Sequence, residues 1–385
     1  MSPHHNHNEG EAGEGRERVP EGHLALAEIH ADFARREARL ARAAAAAGLT
    51  RREFLAAMAA GAAGAGMAAE ALAGSSPPRE QGADAGRKPS DAPPPAPAPD
   101  APKPPARSRV IVVTHPEVTL KEYRVNPPVI RQMLDRAVTE LTGAASAADA
   151  WKSLIKADDF VALKHNSIGS PTLHSHTEIN EVVQAQLTGI VKINPEKFLA
   201  VDRDVPAPYN ELSAPFTLPT RRLETRLRRL YTDFATAIIN VAILKAHWST
   251  GLSEAMKNHL GSINNPALYH GWEPDRLPMS VPELNALPPL RTKTRLVIID
   301  AIQPLFAGGP NDNPDYRWDY RGLIVATDPV AASAVGLRIL EAKRAEFQKK
   351  EWPMTAARLM MAHAQEIGLG NADPARIDLV EAKMG

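Results

Sequence analysis

The fold of this protein is decided by the stretch Ile239-Asn240-Val241-Ala242-Ile243-Leu244-Lys245-Ala246-His247. This stretch is apolar almost throughout and closes with a lysine and a histidine. A second stretch, Val161-Ala162-Leu163-Lys164-His165-Asn166, has the same pattern. Strands that are covered on both faces show continuous apolar runs of this kind, because neither face meets water. The two stretches therefore predict buried parallel strands within one sheet.

Further apolar runs and helical patterns alternate along residues 108–385. Strands are predicted at 109–114, 160–164, 198–202, 238–245, 295–300 and 322–327. Helices are predicted at 127–141, 178–187, 253–260, 329–349 and 355–367. Such alternation is typical of α/β proteins, in which helices cover both faces of a mainly parallel sheet. We predict a single large α/β domain of this class over residues 108–385.

The chain ahead of this domain has the pattern of an export signal over residues 50–73. Arg51 and Arg52 precede an uncharged run rich in alanine and glycine, and Ala71 and Ala73 form a small-x-small cleavage site. This order resembles a twin-arginine signal. A stable membrane span is not expected, because about 15 uncharged residues fall short of the roughly 20 apolar ones needed to cross a bilayer. The alternative interpretation is a basic helical turn before a buried Ala-rich helix.

Two further segments flank the signal. Residues 1–49 form a long leader that we expect to be mostly disordered or helical. Residues 74–107 are rich in proline and alanine and bury too little apolar surface to fold, so we expect a disordered linker. The whole pattern predicts a soluble protein that the twin-arginine translocase exports, with a periplasmic or otherwise exported location.

Composition restricts the function further. The 385 residues carry 45 basic and 45 acidic side chains, so the formal net charge is zero. Nucleic-acid binders usually show a basic surplus, and we therefore expect no nucleic-acid partner. The sequence has no cysteine, which rules out disulfides, thiol nucleophiles and cysteine-ligated iron–sulfur clusters. A metal would need His, Asp, Glu or Asn ligands, and the identity of any cofactor stays open.

The ends of the two apolar stretches are candidates for chemistry, since ligands of open α/β sheets bind at the carboxyl ends of the strands. If the strands are parallel neighbours, Lys164 and Lys245 meet at one edge and create a positive pocket. A desolvated lysine there could bind a carboxylate or phosphate, or act as a base with a lowered pKa. The alternative is that both lysines simply leave the sheet for solvent.

A helix predicted directly after the second strand strengthens the first interpretation. Ser249 or Thr250 could cap this helix, whose free N–H groups would then form an anion site beside Lys245. Lys257 and Asn258 lie two turns further along, so they need not reach the same ligand. The sequence has no Walker A loop, no dinucleotide-binding turn and no nucleophile elbow.

These stretches resemble the domain of unknown function 362 family. The resemblance rests on a strand ending in Leu-Lys-x-His at residues 244–247 and a helix ending in Lys-Asn-x-x-Gly at residues 257–261. Four further segments are similar to the family's pattern, namely 163–166, 298–310, 322–331 and 366–370. The resemblance covers most of residues 110–384. It implies an α/β fold and candidate positions, but no reaction, because the family is uncharacterised.

On these grounds we name two groups of candidate residues. The catalytic candidates are Lys164, Lys245, His247 and Asp300, and the ligand-binding candidates are Asn166, Thr250, Lys257, Asn258 and Asp328. The chain departs from the family's pattern at His165, where proline is usual, and at Ser333, where an aspartate is expected. If that aspartate is a base or a metal ligand in relatives, this chain lacks the activity or uses Asp300 or Asp328 instead.

Two functional hypotheses follow. The first is an enzyme or cofactor-handling protein that binds a small anionic ligand at the strand ends. The second is a non-catalytic exported binding protein that has lost an acid at Ser333.

Two weaker patterns remain. His174 and His176 could chelate a metal from one side of a strand, or belong to a polar loop or helix cap. Residues 221–229 interleave arginines with leucines and predict a solvated amphipathic helix in preference to a nucleic-acid patch.

Overall fold

The computed structural model describes residues 104–121, 124–169, 171–270, 273 and 275–385. The predicted leader, the predicted signal with Arg51, Arg52, Ala71 and Ala73, and nearly all of the predicted linker lie outside these residues. The described part forms one domain with a mixed, mostly parallel sheet and helices around it. The predicted α/β class is therefore confirmed. No helix in the described part is long and apolar enough to cross a membrane.

Ten strands are present in the described residues. They are β1 (Ser108–Thr114), β2 (Val161–Lys164), β3 (Phe198–Val201), β4 (Phe216–Leu218), β5 (Leu223–Thr225), β6 (Ala237–His247), β7 (Gly251–Ser253), β8 (Thr294–Leu305), β9 (Gly322–Ala326) and β10 (Ile377–Lys383). The main sheet has the order β10-β1-β9-β8-β6-β2-β3, and β7 pairs with β6. Strands β4 and β5 form a separate hairpin.

Most neighbours in the main sheet are parallel. Parallel pairing joins β10 to β1, β8 to β6, β6 to β2 and β2 to β3. Strand β9 is antiparallel to both of its neighbours, β1 and β8. The carboxyl ends of β2, β6 and β8 therefore share one edge of the sheet, while β9 ends at the opposite edge.

Helices pack on both faces of the sheet. On one face lie α1 (Pro127–Thr142), α2 (Ala147–Leu154) and α3 (Thr177–Gln186). On the other face lie α4 (Ala255–Asn258), α5 (Arg276–Asn285), α6 (Pro288–Lys293), α7 (Pro329–Gln348) and α8 (Thr355–Glu366). Side chains of each strand alternate between the two cores, as Val110 and Val112 face one core and Ile111 and Val113 the other.

The six predicted main-sheet strands and four of the five predicted helices are present, with bounds that differ by a few residues. The predicted helix at 253–260 is wrong in its first part. Residues 251–253 form β7, the α-helix covers only Ala255–Asn258, and a 3-10 turn over His259–Ser262 follows. Pairing of β7 with the end of β6 satisfies the backbone there in place of a helical turn.

The predicted amphipathic helix at 221–229 is also wrong. Strand β5 and an extended segment occupy this region, and the buried residues Thr225 and Leu227 alternate with more exposed ones. The leucines at 223 and 227 fit a helical spacing, but they fit a period of two equally well. Pairing with β4 makes this segment a strand, with a period of two.

Candidate functional site

A cavity opens where β2 and β6 end, and we call it the strand-end cavity. Its volume is about 70 Å³, which is room for about five water molecules or one small anion. Its polar lining comprises Asn166, Asp202, Arg203, Lys245, His247, Ser253, Lys257, Asn258 and His270. Five of the nine predicted site residues thus line one cavity, namely Asn166, Lys245, His247, Lys257 and Asn258.

Lys164 lies behind this cavity and is paired with Asp202. Its Nζ donates to Asp202 Oδ1 at 2.6 Å and to Asn258 Oδ1 at 3.2 Å, and the lysine is fully buried. Burial raises the pKa of Asp202, but the charge and hydrogen bond of Lys164 outweigh burial and hold that pKa at about 2. Asp202 is therefore a carboxylate at neutral pH, and Lys164 supports the site without lining it.

Two amides connect this pair to the second predicted lysine. Asn258 Nδ2 donates to Asn240 Oδ1 at 2.8 Å and to the Lys164 carbonyl at 3.1 Å, which fixes the amide between β2 and β6. Asn166 Nδ2 donates to Asn258 Oδ1 at 3.4 Å. Asn166 Oδ1 in turn accepts from Lys245 Nζ at 3.4 Å. The strand ends are thus joined by one polar network, as the parallel pairing of β2 and β6 allows.

Lys245 is held by oxygen atoms of the loop after β2. Its Nζ donates to the carbonyl of Ile168 at 2.5 Å and to that of Leu173 at 3.4 Å, in addition to Asn166. Burial lowers the pKa of Lys245 to about 7. Three acceptors match the three N–H groups of an ammonium, so these contacts favour the charged form. Lys245 is therefore an amine held in one position at the wall of the cavity, and it is charged below about pH 7.

Lys257 differs from the other two lysines in its partners. It lies on α4 and is 8% exposed, and no hydrogen bond or ion pair joins its Nζ to any residue in the described ranges. Burial lowers the pKa of Lys257 to about 7, and the charge of Lys245 lowers it further. This amine faces the strand-end cavity with its hydrogen-bonding capacity unused by the described protein atoms.

Two histidines at the cavity have defined tautomers. His247 Nδ1 accepts from the Ser249 backbone N–H at 3.2 Å, so its proton lies on Nε2. His270 Nδ1 donates to the Pro266 carbonyl at 3.0 Å, which leaves its Nε2 as an acceptor. Burial and the charge of Lys257 lower the pKa of His270 to about 4. The rings of His247 and His270 lie 5.8 Å apart. The cavity wall therefore carries one histidine with its proton on Nε2 and one with its proton on Nδ1.

Thr250 does not cap a helix beside Lys245, so that prediction is wrong. Its hydroxyl donates to the Leu252 carbonyl at 2.6 Å, and Glu254 occupies the N-cap position of α4 without a side-chain cap. Because α4 begins only after β7 and has four residues, no free helix terminus faces the ligand position that the sequence predicted.

Asp300 and Asp328 do not line the cavity. The carboxylate of Asp300 accepts from His176 Nδ1 at 2.6 Å and from the His176 backbone N–H at 2.8 Å. Asp328 caps α7 by accepting from Val330 N at 2.8 Å, and it also accepts from the Ser108 hydroxyl at 2.6 Å. Asp328 follows the antiparallel strand β9, which places it at the opposite edge of the sheet. The structure therefore does not bring Asp328 together with the lysines, and its ligand role stays a prediction.

Ser333 faces Glu254 and not the cavity. Both side chains are buried, and the Ser333 hydroxyl lies close enough to influence the carboxyl without a hydrogen-bonding geometry. Burial raises the pKa of Glu254 well above its usual range. An aspartate at position 333 would meet this neutral carboxyl, so the departure from the family's pattern does not remove a group from the cavity.

The predicted metal chelate has a different role in the structure. His176 pairs with Asp300, and His174 Nε2 contacts the Pro171 carbonyl at 3.0 Å. Within the described ranges, no group of three or more His, Asp or Glu side chains is arranged to hold a metal. The absence of cysteine excludes a cysteine-ligated cluster.

Sequence reasoning missed four polar lining residues, namely Asp202, Arg203, Ser253 and His270. Asp202 closes the predicted strand at 198–202, and its position at a strand end was an available signal. Arg203 follows it, while His270 arrives from a distant 3-10 turn, Pro266–His270, with no local pattern.

Comparison with known proteins supports the family resemblance for part of the chain. Residues 213–338 match the family model described as a domain of unknown function, DUF362. The match includes β6, α4, β8, β9 and the start of α7, whereas the early segment 163–166 and the late segment 366–370 fall outside it. No curated protein gives a significant match.

One solved structure shows weak similarity. It is the crystal structure of a protein from Thermotoga maritima, with 10% sequence identity and a TM-score of 0.30. The alignment covers 60% of this chain and 61% of that protein. The chain thus spans about three fifths of that protein's length, and a similarity at this level carries no argument about function.

Proposed function

We propose that this protein binds a small anionic ligand in the strand-end cavity, as an exported enzyme or cofactor-handling protein. The observation that carries the proposal is the presence of two buried amines, Lys245 and Lys257, on one small cavity. Desolvation of two like charges is costly unless an opposite charge compensates them. The acidic side chain in the described lining is Asp202, which is already paired with Lys164.

The lining also favours an anion over other ligands. Arg203 adds a third positive charge, and His247 Nε2–H adds a neutral donor. An anion in the cavity would accept hydrogen bonds from Lys257 and would raise the pKa of that amine. Affinity for a simple anion should therefore fall as the pH rises above about 7, where Lys257 loses its proton.

The rival hypothesis, a binding protein that lost its activity at Ser333, has less support. That hypothesis requires that the aspartate expected at position 333 belongs to the ligand site. Position 333 lies beside Glu254 instead, so a serine there does not change the cavity lining.

The export part of the proposal rests on the sequence. Arg51, Arg52 and the Ala71-x-Ala73 site have the order of a twin-arginine signal. We propose that the folded protein leaves the cytoplasm by that route.

Thermal unfolding tests the anion proposal. Ligand at about 100 times its dissociation constant stabilises a protein by roughly 2.7 kcal/mol, which raises Tm by about 5 °C for a domain of this size. We expect such a rise with phosphate or a small carboxylate, compared with chloride at equal ionic strength. An identical Tm in all of these anions would contradict the proposal.

A further inference from the structure

The site contains three buried lysines, and only one of them has an amine that is not already used. Lys164 Nζ is paired with Asp202, and Lys245 Nζ is held by three oxygen atoms. Lys257 Nζ has neither kind of contact with the described residues, and it lines the cavity from α4. A buried amine without such contacts is an available nucleophile, because no ion pair has to be broken before its lone pair can react.

We propose that Lys257 forms an imine with a small 2-oxo carboxylate that binds in the strand-end cavity. This inference rests on the proposed anion-binding function and specifies its ligand. A 2-oxo carboxylate combines the two features that suit the cavity, a carbonyl carbon for the amine of Lys257 and a negative charge for the ammonium form of Lys245.

The dimensions and lining of the cavity agree with this class of ligand. A volume of about 70 Å³ admits a compound of only a few heavy atoms. Ile168, Leu260 and Pro310 supply apolar wall area for a short alkyl group. The positive charge of Lys245 lies on the same cavity and favours the carboxylate end of the ligand.

His270 can move the protons that imine formation requires. The Lys257 lone pair attacks the carbonyl carbon, and His270 Nε2 takes a proton from the nitrogen and delivers it to the oxygen, which gives a neutral carbinolamine. The same relay carries the second amine proton to the hydroxyl, which then leaves as water. One C–N double bond forms, one C–O double bond breaks, and one water is released, with no change of oxidation state.

The state of Lys257 at neutral pH supports this role. Burial and the neighbouring Lys245 charge bring the pKa of Lys257 to about 7, so about half of the amine is neutral at pH 7. An ordinary lysine with a pKa near 10.4 is neutral to less than about one part in 10³ at that pH. The neutral fraction of Lys257 is therefore about 10³ times that of an exposed lysine, and it should react at least about 10²-fold faster.

Reductive trapping tests the proposal on the full chain. The protein is incubated with pyruvate and cyanoborohydride, and the modified lysines are identified by peptide mass mapping. We expect the adduct at Lys257 at least about 10²-fold faster than at the exposed Lys350, with a rate that increases as the pH rises through 7. Acetone, which lacks the carboxylate, should label Lys257 at least tenfold more slowly. Equal labelling of Lys257 and Lys350 would overturn the proposal.

Further comparisons distinguish a failure of the imine proposal from a failure of the anion-site proposal. Lys257→Arg removes the nucleophile, so it should lose the adduct, whereas the exposed control Lys350→Arg should keep both the adduct at Lys257 and the phosphate-induced rise in Tm. A phosphate-induced rise without any adduct in the parent protein refutes the imine and leaves the anion site intact. Absence of the rise with every anion refutes the anion site itself. Adducts that form equally well with acetone refute the 2-oxo carboxylate as the preferred ligand.

Discussion

At the residue scale, Glu254 is a carboxylic acid that lies in the protein interior, away from solvent. Its side chain is buried, and neither carboxyl oxygen has a hydrogen-bond partner within the described residues. Gly336 packs directly against this carboxyl. A Cβ at position 336 would lie 2.3 Å from Glu254 Oε2, so the absence of a side chain there leaves room for the carboxyl. Ionisation at such a position is unfavourable, and burial therefore raises the pKa of Glu254.

The raised pKa predicts a specific dependence of stability on pH. The folded state keeps the Glu254 proton in a pH range where the unfolded state loses it, so this group's contribution falls as the pH rises above about 4.5. The loss is about 1.4 kcal/mol per pH unit until the folded pKa is reached. Glu254→Gln should remove this component of the slope.

Urea unfolding of the parent and of Glu254→Gln between pH 4.5 and 7.5 measures the difference. The exposed substitution Glu351→Gln serves as the control and should keep the parental slope. A parental slope in Glu254→Gln would show that Glu254 is ionised in the folded protein.

At the residue scale, the sequence identified charged groups better than their partners. Lys245 and Lys257 were recognisable because each follows an apolar run or lies in a family-like motif. The partners of Lys245 are backbone carbonyls of Ile168 and Leu173, and a carbonyl carries no sequence signal. His270 reaches the cavity from a separate turn, so only the tertiary fold brings it there.

At the scale of elements, the turn after α4 holds the buried ion pair in place. Gly261 packs directly on Lys164 and Asp202, so a Cβ there would lie 2.6 Å from Lys164 Cε and 2.7 Å from Asp202 Oδ1. Neither atom can move away freely, because each belongs to a hydrogen-bonded pair between β2 and the residue after β3. The turn is therefore sensitive to one added methyl group.

We expect Gly261→Ala to destabilise the fold by about 1–3 kcal/mol, the usual cost of overpacking. Gly189→Ala is a matched control, since nothing lies within 4 Å of the added Cβ and the backbone there is helical. The control should be neutral or slightly stabilising. Equal free energies of unfolding for the two variants would contradict this view of the turn.

Elements whose pattern had one interpretation were predicted correctly, as for β6 and α7. The errors occurred where a local pattern fitted two kinds of secondary structure. The predicted helix at 253–260 begins at Ser253, which pairs with Lys245 of β6. Such a pairing depends on the tertiary fold, so local helical propensity does not predict it. The arginine-rich segment after Arg221 became a hairpin because β4 was available as a partner.

At the scale of the whole molecule, the direction of β9 separates two polar groups that the sequence suggested might act together. Asp328 lies with Ser108 and Asn371 at the amino edge of the parallel strands. The lysines lie at the carboxyl edge. The antiparallel strand could not be inferred from the apolar run at 322–327, since parallel and antiparallel buried strands have the same composition.

Export also belongs to this scale, and it predicts a dependence on one arginine pair. Replacement of Arg51 and Arg52 by lysine should retain uncleaved precursor in the cytoplasm, because the translocase recognises the paired arginines. The pair Arg35 and Arg36 in the leader provides a matched control, since no uncharged run follows it. Cell fractionation with immunoblotting measures both variants. Unchanged export after the first replacement would refute the signal.

The central claim, that the strand-end cavity is an anion site, is tested most directly by calorimetric titration with phosphate at pH 6.5. The account predicts one binding site per chain in the parent protein. It predicts the same in Lys343→Met, which removes a partly exposed cation of α7 that does not line the cavity. It predicts at least tenfold weaker binding in Lys257→Met, provided that this variant has the parental circular dichroism spectrum. Absence of binding in the parent, or equal affinity in Lys257→Met, would contradict the account.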